Sequence, residues 1–121
     1  MRIYCVNEPR PGPGDRIPNL DKLERHGPVL YVFTRREWPA KYPEDALRIL
    51  DQRLTGFDPD KDALAFLGGD PFALLLIGVW AEAKGVKRLT WMRYENIEGR
   101  ISFEPTPVEL EKLHLLEPSP T

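Results

Sequence analysis

The chain has a single cysteine, Cys5, so no internal disulfide can form, which fits a reducing compartment. Its two histidines, His26 and His114, stand alone, and neither has a Cys or His neighbour at metal-ligand spacing. Cys5 lies in an apolar stretch with no histidine near it in sequence, and reads as an inert core thiol. Long hydrophobic runs are missing too. The longest, Phe72 to Ala81, is about half the ~20 residues that cross a bilayer. The opening MRIYCVNEPRPG holds no apolar run of signal-peptide length. A soluble, cytoplasmic protein with no membrane partner is expected. Charge of one sign is lacking as well: 17 basic and 19 acidic residues leave a net charge of -2. Without a basic excess, nucleic acid is not a favoured partner. G-x-S-x-G, H-E-x-x-H and C-x-x-C are all absent, which leans against an enzyme. No catalytic residue, metal or cofactor is assigned. Three asparagines and one glutamine beside 13 prolines give a thermophile-like composition; a high-GC genome would leave the same mark.

What is present is ordinary globular material. At 121 residues the chain makes a single α/β domain, residues 1–121. A chain of this size buries roughly two-thirds of its unfolded surface. Residues 1–6 read as a short strand with Ile3 and Val6 toward the core. Residues 8–18, EPRPGPGDRIP, form a Pro/Gly-rich loop. Asn19 is placed to cap a short helix that ends at Gly27. Val29 to Phe33, VLYVF, is a continuous β-branched and aromatic run of the kind covered on both faces in a parallel sheet. Pro43, Glu44 and Asp45 open the next helix, with proline at the first position and acids at the positive end of the dipole. That helix should stop at Gly56, leaving Phe57 to fold back on its last turn.

The densest signal spans residues 62–91, DALAFLGGDPFALLLIGVWAEAKGVKRLTW. It reads as a strand over Ala63 to Leu67, a Gly68-Gly69-Asp70-Pro71 turn, a helix stopped by Gly85, and a strand over Val86 to Tyr94. Asp70 caps the helix and Pro71 takes its first position. The helix is apolar on nearly every face, so a buried central helix is expected. Asn96 to Gly99 turns the chain into an antiparallel return strand marked by Ile101 and Phe103. Thr106, Pro107 and Glu109 match a capping box, which predicts a short terminal helix over 107–116, followed by a flexible tail at 117–121. Alternating β and α elements call for a mainly parallel sheet with right-handed crossovers. The expected architecture is a small Rossmann-like or flavodoxin-like sandwich with a C-terminal antiparallel hairpin.

Candidate chemistry gathers at the loops that leave the C-terminal edge of such a sheet. Gly68 and Gly69 follow a strand and open a helix, where α/β proteins bind phosphates on free amides. The spacing is neither G-x-G-x-x-G nor a Walker A loop, and Asp70 would take those amides itself. A self-capped turn is one reading; a ligand whose hydroxyls meet Asp70 is the other. Arg35, Arg36 and Trp38 follow the VLYVF strand and offer a surface for an anion or a partner; a solvated loop with packed tryptophan is the alternative. Tyr94, with Trp91 and Arg93, lies at the hairpin and would suit a protein partner or a homodimer formed by strand addition. Asp58, Asp60 and Asp62 alternate but lack the glycine and distal glutamate of a calcium loop, so they read as a solvated turn.

The run Asp62-x4-Leu67, then Gly69-Asp70-Pro71, an apolar helix, Leu89-x-Trp91 and a terminal hairpin resembles a group of short uncharacterised proteins of tailed phages and prophages. The likeness covers about residues 58–105. The group's Trp-Asp-Arg step stands here as Trp91-Met92-Arg93, which departs at the middle position. The resemblance implies a mobile-element origin and transfers no catalytic residue. Two functions are therefore expected. The first is a non-enzymatic protein-binding or regulatory module, such as a phage accessory protein. The second is a nucleotide or small-metabolite binding domain using Arg35, Arg36, Gly68, Gly69 and Asp70 around one crevice.

Overall fold

Five strands form one sheet in the order β2-β1-β3-β4-β5 in the computed structural model, which describes residues 1–37 and 42–110. The elements are β1 (Ile3–Asn7), α1 (Leu20–Glu24), β2 (Val29–Phe33), α2 (Pro43–Arg53), β3 (Ala63–Ala65), α3 (Phe72–Ala83), β4 (Arg88–Ile97) and β5 (Arg100–Glu109). β1 pairs in parallel with β2 and β3, with Ile3 opposite both Val29 and Ala63. β3 pairs in parallel with β4 at Leu64 and Trp91. β4 and β5 are antiparallel from Arg88 opposite Glu109 to Ile97 opposite Arg100. The expected α/β domain with a mainly parallel sheet and one antiparallel hairpin is thus observed.

The chain first steps from β1 outward to β2, then reverses and crosses to β3. Reversal moves the connecting helix to the other face, because each crossover keeps the same hand. α2 and α3 accordingly cover one face. Tyr4, Val6, Leu64 and Leu89 of the sheet meet Leu50, Leu54, Ile77 and Trp80 there. Full burial of such side chains contributes roughly 1.5–3 kcal/mol each. Phe57 closes this core by standing edge-on to Tyr4 at 5.4 Å and to Trp80 at 6.2 Å. The opposite face has a smaller core of Ile3, Ala63, Ala65, Met92 and Phe103 around Leu23 of α1. α1 is only five residues long, so it covers little of that face.

Local signals explain most boundaries. Pro43 opens α2 with Glu44 and Asp45 in the first turn. Asp70 Oδ1 accepts the Phe72 amide at 2.9 Å, as a cap should. Glu98 and Gly99 both have positive φ, 51° and 80°, the two-residue turn whose twist suits a hairpin.

Four expectations are corrected. β5 runs through Thr106, Pro107 and Glu109, so no helix begins at 107; residues 111–116 lie outside the described residues. Cross-strand pairing with Trp91, Thr90 and Arg88 overrides the local capping signal. Pro107 is tolerated because β5 is an edge strand and its missing N–H faces away from the ladder. α3 is not buried all round: only α2 flanks it in its layer, and Leu75 is 60% exposed. Asn19 adopts a left-handed conformation and its side chain caps nothing in α1. Gly56 is not left-handed; its carbonyl accepts a hydrogen bond from the Arg2 guanidinium.

Candidate functional site

β1 ends in Asn7, β2 leads into Thr34 and Arg35, and β3 leads into Phe66, Leu67 and the Gly68-Gly69 turn. These three exits lie side by side at the C-terminal edge of the sheet, where the strand order reverses between β2, β1 and β3. Helices leaving a reversal point diverge to opposite faces and leave a crevice between them. Here the crevice has a volume of about 730 Å³. The short α1 leaves its far side open, and the twisted β4–β5 hairpin contributes Tyr94 and Phe103 as an aromatic wall. Tyr94 stands edge-on to Phe103 at 5.8 Å and is half exposed.

Five of the seven residues expected from sequence meet in this crevice: Arg35, Gly68, Gly69, Asp70 and Tyr94 all line it. Arg36 sits just outside, in a shallow adjoining depression with Glu8, Thr34 and Arg35. Trp38 lies outside the described residues. Sequence reasoning missed Asn7, Glu8 and Arg10, which also line the crevice. A polar residue closing an otherwise apolar parallel strand was the available signal for Asn7, since strand tips face the ligand edge.

The loop after β2 is held in place. Glu37 accepts the Thr34 amide at 3.0 Å and the Arg53 guanidinium at 2.6 Å. Burial would raise the Glu37 carboxyl, but the Thr34 amide and Arg53 outweigh it and hold it below its ordinary range. Arg53 also donates to the Val32 carbonyl at 3.1 Å, covering the open edge of β2. Arg35 extends from this fixed loop and pairs with Glu8 at 3.1 Å. Arg10 is exposed, also lines the crevice, and has no ion-pair partner among the described residues.

On the β3 side, Gly68 and Gly69 take φ of +129° and +123°, values that L side chains rarely adopt. Gly69 lies directly on Asn7: a Cβ there would run into the Asn7 carboxamide. Asn7 is only 3% exposed, and neither Nδ2 nor Oδ1 has a hydrogen-bond partner. Cys5 lies beneath, its thiol donating to the Asn7 carbonyl at 3.3 Å. Burial pushes the Cys5 thiol up to about 11, so it stays protonated at neutral pH and is no nucleophile. Asp70 spends one oxygen on the helix cap, so the other can take a hydroxyl.

The acidic turn has a structural role. Asp62 is buried at 4% exposure, pairs with Arg2 at 2.9 Å, and accepts the amides of Asp58 at 2.9 Å and Arg2 at 3.1 Å. It is therefore not solvated, as its alternation with Asp58 and Asp60 suggested. No group of three or more His, Cys, Asp or Glu placed to hold a metal ion occurs among the described residues. No helix among them is long and apolar enough to cross a membrane.

Fold and crevice together define a small α/β domain with an open cavity at its topological reversal point. No family model, curated protein or solved structure matches the chain.

Proposed function

We propose that the protein is a binding domain for a nucleotide or a nucleotide-sized metabolite, held in the crevice at the C-terminal edge of the sheet. The observation that carries this reading is the cavity of about 730 Å³ at the C-terminal edge of the sheet, beside the exits of β1 and β3. Small-molecule sites run from roughly 300 to 1,000 Å³ and combine apolar walls with a few polar groups. Phe66, Phe103 and Tyr94 supply a face for a planar ring. Arg35 and Arg10 supply cations at the rim, and Asp70 supplies a carboxylate oxygen for a hydroxyl. The strand order 2-1-3-4-5, with its last strand antiparallel, is similar to a doubly-wound order that binds ligands at its β1/β3 reversal point, and it supports assigning the crevice rather than another surface.

Thermal-shift and calorimetric titration with nucleoside monophosphates tests the reading. Binding raises the melting temperature with ligand concentration, by about 2.7 kcal/mol of added stability at a hundredfold excess over Kd. Arg10→Ala with Arg35→Ala should weaken that binding and leave the ligand-free melting temperature nearly unchanged. A wild-type protein that no nucleotide stabilises would remove this reading.

A second reading has its own observation. Ile97 is 66% exposed beside the hairpin turn, and β5 is an edge strand of the sheet. An open edge with an exposed apolar tip favours a protein-binding or regulatory module, as an accessory protein of a mobile element would be. Pull-down with an Ile97→Ser variant separates the two, because Ile97 does not line the crevice.

A further inference from the structure

Asn7 poses a problem that the fold alone does not solve. Its carboxamide carries two donors and an acceptor, and it closes strand β1 of the sheet. Buried polar side chains in native proteins nearly always find partners. Here both ends of the amide are orphaned while the residue is 3% exposed. Its neighbours explain why. Cys5 gives its hydrogen to the Asn7 backbone carbonyl rather than to the side chain. Gly69 covers the amide from above.

The cover is glycine backbone, with no side chain of its own. Gly68 and Gly69 are consecutive glycines with φ of +129° and +123°. A Cβ at Gly68 would meet nothing within 4 Å, so that residue is not wedged in place. The β3 ladder has already ended at Ala65, and the α3 cap begins only at Asp70. Between those fixed points the two glycines can rotate without breaking strand or helix bonds. Rotation would uncover Asn7 on the crevice side, since both line the same cavity.

We propose that the Gly68-Gly69 turn is a strap over Asn7, and that the Asn7 carboxamide, once uncovered, reads the edge of an adenine-type ring in the crevice. This rests on the nucleotide reading above and assigns its ring end. An asparagine amide matches a neighbouring amine and ring nitrogen: Nδ2 donates to N7 and Oδ1 accepts from the exocyclic N6. A ring offering a carbonyl in place of the amine faces Oδ1 with a second acceptor. Tyr94, half exposed on the wall, gives the ring a face to stack on. The phosphate end then falls toward Arg10 and Arg35 at the rim.

The test is calorimetric titration of the wild-type protein with AMP, with IMP, which has a carbonyl in place of N6, and with 7-deaza-AMP, which lacks N7. AMP should bind about tenfold tighter than either analogue. Equal affinities would overturn the Asn7 assignment while keeping the nucleotide site. Failure of all three to bind would overturn both. Asn7→Leu, close in size but without polar atoms, provides a second reading. Its ligand-free melting temperature should equal or exceed the wild-type value, and its preference for AMP should vanish. A lower melting temperature with the preference retained would show that the amide is structural. If the variant does not fold, the analogue series on the wild-type protein decides alone.

Discussion

Two buried polar side chains, one at each end of the parallel strands, meet opposite fates. Asp62 sits just before β3 at the N-terminal edge, and Asn7 closes β1 at the C-terminal edge. Both are nearly inaccessible, at 4% and 3%. Asp62 is saturated: the Arg2 guanidinium and two backbone amides fill its oxygens. Asn7 has no partner on either atom. A fold tolerates an unpaired buried amide only at a cost of about 1–3 kcal/mol. The contrast assigns the two edges different work. The N-terminal edge is tied down by its polar group, and the C-terminal edge holds one in reserve.

The largest effect should come from the saturated end. Asp62→Ala strands the Asp58 and Arg2 amides and should lose about 2 kcal/mol in urea unfolding. Asn7→Leu should lose nothing and can gain. Equal losses at both positions would erase the distinction between the edges.

Gly69→Ala should cost about 1–2 kcal/mol, because its φ of +123° strains any L residue and the new Cβ meets Asn7. Pairing it with Asn7→Ala removes the collision and leaves the strain. The double variant should therefore be more stable than the sum of the single losses implies. Simple additivity would mean that the strap does not press on Asn7.

Acid titration sharpens the comparison from the other side. Burial works to raise the Asp62 carboxyl, but Arg2 and the two amides outweigh it and hold it below its ordinary range. A depressed folded-state value means the stabilisation is complete above the unfolded value of about 3.9 and fades as pH falls through the folded value. Glu37 acts in the same direction. Melting temperature should thus fall below about pH 4, less steeply in Asp62→Asn than in wild type. An identical acid slope in the two proteins would show that Asp62 is not the group responsible.

The smallest effects belong to the crevice rim. Arg35→Ala breaks an exposed pair with Glu8 and should change stability by less than about 1 kcal/mol. Arg36→Ala should change it even less, and should also spare nucleotide binding, since Arg36 sits outside the crevice.

How far all this can be read from the chain follows from where the deciding partner lies. Pro43, Asp70, Pro71 and Gly85 act on their own turns, so α2, α3 and their limits are legible. Thr106, Pro107 and Glu109 spell a helix start just as clearly, yet β5 forms because its partners on β4 arrive from earlier in the chain. The same limit hides the crevice floor. Asn7 matters through Gly69, far away in sequence, and nothing near Asn7 announces that contact. Arg35, Gly68, Gly69 and Asp70 were legible because strand exits in a parallel sheet share an edge. Arg2 and Asp62 were not, because their pairing depends on the β1–β3 register.

Amide chemical-shift mapping with AMP tests the central claim most directly. The account predicts the largest shifts at Asn7, Gly68, Gly69, Asp70 and Tyr94, with the Asp58 to Asp62 turn unmoved. Shifts centred on that turn, or none anywhere at millimolar nucleotide, would contradict it.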